Sequence, residues 1–258
     1  MRKPIVVGNW KMHKTVQESV ALVEELKPLV ADLQEVDIGV CPPFTSLSDV
    51  SRVLEGSNIY LGAQNMYWEP QGAHTGEISA GMLLSVGCKY VIIGHSERRI
   101  YFGEPDEWVN RKVKAALEAG LVPIMCVGET LEQRQEGVTQ KVVDRQVAEG
   151  LRELPPEQVA GMVIAYEPVW AIGTGLTAKP EQAQEVQAFI RGRLEELFGE
   201  DVARSVRIQY GGSIKPENAQ DLFVQPDIDG GLVGGASLKA DSFAQIIWAA
   251  LKINKTMR

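Results

Sequence analysis

The chain has 258 residues, 45% of them hydrophobic and 23% charged, with a formal net charge of −8 and a pI near 5.1. That is a globular mix large enough to bury a substantial core, and its acidic balance argues against nucleic acid or an anionic membrane surface as a partner. The same charge would weakly repel an anionic substrate at long range, so any phosphate site has to be built locally from a few cations and backbone N–H groups.

At the N-terminus, Met1-Arg2-Lys3-Pro4 leads into an apolar run from Ile5 to Gly8. This is too short for the apolar region of a signal peptide or for a membrane span. Short Val- and Ile-rich runs then predict strands near 5–9, 37–41, 59–63, 89–93, 122–127, 161–166, 205–209 and 228–233. Stretches of helical period predict helices near 16–31, 79–86, 106–119, 138–151, 181–198 and 238–252. In the clearest of these, 181–198, Val186, Phe189, Ile190, Leu194 and Leu197 share a face, with Glu185, Arg191, Arg193 and Glu195 largely outside it. Pro180 suits the first turn, where its missing N–H is not needed.

Near-continuous apolar strands separated by helices predict a parallel sheet covered on its outer side. Eight strand–helix units of roughly 30 residues predict a single (β/α)8 barrel domain over residues 1–258. A doubly wound open sheet is the alternative, because periodicity does not distinguish a closed sheet from an open one. The three cysteines, Cys41, Cys88 and Cys126, are far apart and form no C-x-x-C pair. Neither a zinc site nor a disulfide framework is indicated, and a reducing, cytoplasmic location is expected.

Polar or glycine-rich residues gather just after the predicted strand ends: Asn9 and Lys11, Gln64 and Asn65, His95 and Glu97, Glu129, Glu167, Gly211 to Ser213, and Gly234-Gly235. In a parallel barrel these ends share one face, where such folds place their sites. Glu167 alone reads as an ordinary loop carboxylate. Its candidacy as a base rests on the following stretch, Pro168 to Ala178, where Trp170 and Ile172 flank Gly173-Thr174-Gly175 in the pattern of a water-excluding lid. Closure would desolvate the carboxylate and make it a better base.

His95 is either a structural imidazole or a neutral hydrogen-bond donor to a carbonyl, its charged form disfavoured by a helix beginning just after it. His13, His74 and His95 have no metal-ligand spacing, so no metal is expected. Lys11 is either a solvated charge or a counterion to charge developing in a reaction. The glycine pairs at 211–212 and 234–235 serve tight turns, or bring backbone N–H groups to a phosphate. Gly173 to Ala178 also fits G-x-G-x-x-A, but it neither follows a strand directly nor opens a helix, so nucleotide binding is not expected.

Seven segments in order resemble the triosephosphate isomerase family: GNWKM at 8–12, GAQNMYWEPQGAHTGEIS at 62–79, IIGHSERR at 92–99, CVGE at 126–129, AYEPVWAIGTG at 165–175, YGGSI at 210–214 and LVGGASL at 232–238. The resemblance implies interconversion of dihydroxyacetone phosphate and glyceraldehyde 3-phosphate, a small triose phosphate as substrate, and no cofactor. It implies Glu167 as the base, His95 and Asn9 polarising the carbonyl, Lys11 countering negative charge, and Glu97 supporting Lys11. Asn9 and Lys11 would also contact substrate, and Gly173, Ser213, Gly234 and Gly235 would bind its phosphate. The lid would comprise Pro168, Val169, Trp170, Ala171, Ile172, Gly173, Thr174, Gly175, Leu176, Thr177 and Ala178.

A homodimer is implied through loop 64–78, whose Met66, Tyr67 and Trp68 would be an apolar liability if exposed, with Thr75 reaching the neighbouring site. The chain departs from the family pattern at His13, Leu176 and Lys179; loss of a helix cap at Lys179 is expected to cost about 1 kcal/mol. Two other readings stay open on the residues alone. One is another phosphate-binding barrel, such as a Schiff-base aldolase or a phosphoribosyl isomerase; the other is a barrel kept for binding without catalysis.

Overall fold

The computed structural model describes residues 2–172 and 177–256, with side chains as far as Leu251 at the C-terminal end. Eight parallel strands close on themselves in sequence order: β1 (Ile5–Asn9), β2 (Asp37–Cys41), β3 (Ile59–Ala63), β4 (Cys88–Ile93), β5 (Val122–Val127), β6 (Val163–Tyr166), β7 (Arg207–Tyr210) and β8 (Gly230–Val233). The open-sheet alternative is thereby removed. The seam is the pairing of β8 with β1, in register from Ile5↔Gly230 to Gly8↔Val233. Gly230 makes that seam possible: its φ is +137°, and a Cβ there would lie 2.0 Å from the carbonyl oxygen of Ile5.

The helices follow in chain order as α1 (Val16–Val30), α2 (Leu47–Leu54), α3 (Ala80–Ser85), α4 (Ser96–Phe102), α5 (Asp106–Ala119), α6 (Leu131–Gln135), α7 (Thr139–Gly150), α8 (Pro156–Val159), α9 (Pro180–Phe198), α10 (Glu200–Ser205), α11 (Pro216–Phe223) and α12 (Ala240–Thr256). Alternation along each strand divides the core in two. Ile5, Val7, Tyr90, Ile92, Ile124, Val163, Ala165 and Leu232 fill the barrel, whereas Val6, Ile38, Val40, Val91, Ile93, Ile164 and Tyr166 pack outward beneath the helices. Among the described residues no helix is long and apolar enough to cross a membrane.

The expected elements differ from these mostly at their ends. Strands β6, β7 and β8 begin two residues later than the apolar runs, because residues such as Gly161 and Met162 finish the turn of α8 before pairing starts. The short helices α2, α4, α6, α8, α10 and α11 have too few periodic positions to stand out in the sequence. In α9, Leu197 is 39% exposed instead of sharing the core face. Arg191, expected outside, is mostly buried; it pairs with Asp227 and Asp229 and donates to the carbonyls of Ala203 and Val206. Lys179 provides no side-chain cap, but the Gln182 Oε1 accepts its backbone N–H at 3.0 Å, so one arm of the helix-start pairing survives.

Candidate active site

The strand ends converge as the barrel requires. Asn9, the last residue of β1, is buried and its Oδ1 accepts the backbone N–H of Lys11 at 3.0 Å. Lys11 has a φ of +52°, in the left-handed region that a lysine seldom adopts. Its backbone is held there from outside: the Gln64 amide donates to the carbonyls of Lys11 (2.8 Å) and Cys41 (2.9 Å). The consequence is a lysine stem that passes the glycine turn after β8; a Cβ added to Gly234 would lie 3.6 Å from the Lys11 Cε. The Lys11 Nζ meets the Glu97 Oε1 at 2.6 Å.

His95 occupies the N-cap of α4, where its Nδ1 accepts the Glu97 backbone N–H at 3.2 Å. That bond needs an unprotonated Nδ1, which leaves the Nε2 to carry the proton. The Nε2 lies 2.9 Å from the Glu167 Oε1. Glu167 is 2% exposed, directly after β6, with its own N–H bonded to the Val127 carbonyl at 2.8 Å. Its carboxylate also accepts from the Ser96 backbone N–H (3.0 Å) and hydroxyl (3.4 Å).

Burial alone would raise the Glu167 pKa, but the imidazole and the Ser96 N–H outweigh it and hold the carboxyl below its usual value. Desolvation is the largest single influence on the carboxyl, yet the groups that face it outweigh it together. At His95 burial works against the charged ring, and the Glu167 and Glu97 carboxylates overcome it, raising the pKa above that of an ordinary imidazole. The helix-start effect expected to disfavour charge is present as the Nδ1 bond, but the facing carboxylate is stronger.

Asn9, Lys11, His95 and Glu167 line one cavity of about 590 Å³ together with Gly211, Gly212, Ser213, Gly234 and Gly235. Four groups able to polarise, protonate or deprotonate a small molecule thus face the backbone of two glycine turns. Lys89, which a Schiff-base reading would need at a strand end of this face, is the second residue of β4, at the opposite end from His95, and lies over the Tyr60 ring at 3.4 Å.

The triosephosphate isomerase family model matches residues 4–250. The chain is 59% identical over 247 residues to triosephosphate isomerase of Carboxydothermus hydrogenoformans, covering 96% of this chain and 98% of that protein. It is 58% identical to the one of Caldanaerobacter subterraneus subsp. tengcongensis and 57% identical to the one of Chloroflexus aurantiacus, each with 96% of this chain and 99% of the relative covered. The chain belongs to the triosephosphate isomerase family. It is an isomerase of glycolysis, interconverting dihydroxyacetone phosphate and D-glyceraldehyde 3-phosphate on a (β/α)8 barrel.

Against that family background, Ser96, Gln64, Gly128 and Glu129 are site residues for which the sequence suggested no role. Ser96 is the immediate neighbour of His95, and its position was the available signal. Gly128 leaves no room for a side chain beside Glu167: a Cβ there would sit 1.8 Å from its carbonyl oxygen. Glu129 is completely buried and accepts from the Tyr166 hydroxyl (3.1 Å) and the Trp170 Nε1 (2.9 Å). Of the expected lid, Pro168 to Ile172 and Thr177-Ala178 are described, with a 3-10 turn at Val169–Ala171. Gly173, Thr174, Gly175 and Leu176 lie outside the described residues, and with them the Gly173 phosphate contact.

Met66 is fully buried within the subunit, Tyr67 stacks on Trp68 at 4.1 Å between ring centroids, and Trp68 packs near Trp108 at 5.6 Å. Tyr67 and Trp68 are thus only half-buried, and residues 69–77, including Thr75, stand exposed.

Proposed function

We propose that Glu167 is the base that moves a proton between the two carbons flanking the substrate carbonyl, through an enediolate. His95 and Asn9 polarise that carbonyl, His95 through its Nε2–H. Lys11 offsets the charge that develops on oxygen and on the phosphate, with Glu97 steadying its ammonium. Gly234, Gly235 and Ser213, with Gly173, supply the phosphate contacts. One carboxylate can both take and return the proton, so the reaction calls for no cofactor.

The convergence of Asn9, Lys11, His95 and Glu167 on a cavity that also opens onto the two glycine turns carries this reading. Substitution of Glu167 by Gln tests it in a coupled assay: turnover should be lost while a phosphate-bearing analogue still binds, and retained turnover would overturn the assignment.

The stretch Pro168 to Ala178 serves as a lid, because an enediolate beside a phosphate eliminates it when exposed to water. The whole of residues 1–258 forms one domain. The working unit is a homodimer joined through loop 64–78, with Thr75 reaching the partner's site. Exposed Met12 (94%), Tyr101 (75%) and Phe102 (65%), in the connections after β1 and β4, support a covered surface. The enzyme acts in the cytoplasm, without nucleic acid or membrane as a partner.

A further inference from the structure

We propose that Arg134 is a positioning residue for the catalytic base, acting through Glu129 and Trp170; this rests on the reading of Glu167 as that base. Arg134 does not line the substrate cavity. It belongs to α6, whose start is locked by reciprocal bonds between Thr130 and Gln133. From there its guanidinium makes one contact with the connection after β5 and one with the segment that carries the base. The Nη1 lies 3.2 Å from the Glu129 Oε1, and the Cζ sits 4.6 Å above the Trp170 ring.

The two contacts support one another. Glu129 is completely buried, and a buried carboxylate is retained only with a cation and hydrogen-bond donors around it. Among the described residues Arg134 is the cation paired with it, and the donors are the Tyr166 hydroxyl and the Trp170 Nε1. The Glu129 carbonyl also accepts the Val169 N–H at 3.1 Å. Arg134 thus covers the face of the indole whose N–H is held by the carboxylate that Arg134 neutralises, a geometry in which the cation–π and charged contacts reinforce each other.

Glu167 is three residues before Trp170. Its N–H is tied to the Val127 carbonyl, and the next two anchors, Val169 and Trp170, are both tied to Glu129. The base therefore sits on a four-residue bridge pinned at one end to the last residue of β5 and at the other to the connection that follows it, and Arg134 closes the second pin. Loosening it displaces a carboxylate whose placement has to hold to a fraction of an ångström, where 1 Å can cost about 100-fold in rate.

The test is steady-state kinetics with the full-length enzyme and 19F NMR of 5-fluorotryptophan-labelled protein, the Trp170 signal being assigned with Trp170→Phe. Arg134→Gln should lower kcat about 10-fold with KM changed by less than about 2-fold, and should shift the Trp170 resonance. Arg134→Lys, which keeps the charge and loses the planar face, should fall between; it also decides the matter should the Gln variant fail to fold. The double variant Arg134→Gln/Trp170→Phe should be no slower than Trp170→Phe alone, because the arginine acts through the indole. A kcat within about 2-fold of the parent in the folded Arg134→Gln protein, or fully additive losses in the double variant, would overturn the proposal. Failure of the base assignment reads out separately, as turnover surviving Glu167→Gln.

Discussion

The Nε2 of His95 lies 2.9 Å from the Glu167 Oε1, so the imidazole and the proposed base are already partners. The same carboxylate takes the Ser96 N–H. Glu167 is consequently held in its ionised form, and as the proposed base it has to leave both donors to engage a substrate carbon.

Shortening the base tests how far that placement matters. Glu167→Asp withdraws the carboxylate by about 1 Å, which should lower kcat about 100-fold in a coupled isomerase assay. Near-normal turnover would remove Glu167 from the role of base.

His95→Gln keeps a donor amide but loses the ring geometry fixed by the Nδ1 bond to Glu97. Turnover should fall by a larger factor than the affinity for a phosphate-bearing competitive inhibitor, measured by inhibition kinetics. A change confined to affinity would contradict the polarising role.

Gly128→Ala places a Cβ 1.8 Å from the Glu167 carbonyl oxygen and 2.6 Å from its carbon. Backbone cannot yield there as a flexible side chain would, so the end of β6 must shift. The expected result is a loss of turnover on the order of 100-fold together with a lower thermal midpoint. Wild-type kinetics from this variant would mean that β6 adapts without moving the base.

Glu104 offers a pH test of the scaffold. Its buried carboxylate lies 2.7 Å from the Lys112 Nζ and 2.9 Å from the Arg98 Nε. Burial pushes the carboxyl pKa up, but the two cations outweigh it and hold it below the usual value. At Lys112 burial outweighs the pairing and pulls the ammonium below the usual lysine value. The carboxylate direction governs the acid range. Stability from Glu104 is thus fully present above the unfolded carboxyl pKa of about 4.3 and is lost as pH falls through the lower native value. Glu104→Gln should cost about 3–5 kcal/mol at neutral pH in denaturant titrations. The gap to the parent should narrow on acidification below that unfolded value; a constant gap would show that ionisation contributes nothing.

Much of the site was legible as residue types at strand ends. Asn9, Lys11, His95, Glu167 and the two glycine turns could be named because apolar runs of strand length stop just before them. Arg191 could not be placed, since its sequence neighbours put it on the polar face of α9. The carboxylates that draw it inward, Asp227 and Asp229, lie more than thirty residues away. Gln64 was visible as a polar strand-end residue without a task, because its partners are Lys11 in the connection after β1 and Cys41 at the end of β2.

Local chemistry therefore determined the eight strands, the major helices and which polar groups stand at the strand ends, all of which depend on neighbours a few residues apart. Tertiary structure alone decided which groups meet: the Lys11 backbone held at +52° by Gln64, the His95–Glu167 contact, and the Arg134–Glu129–Trp170 cluster. These distances exist because β8 pairs with β1, and pairing across 225 residues leaves no periodic trace in either segment.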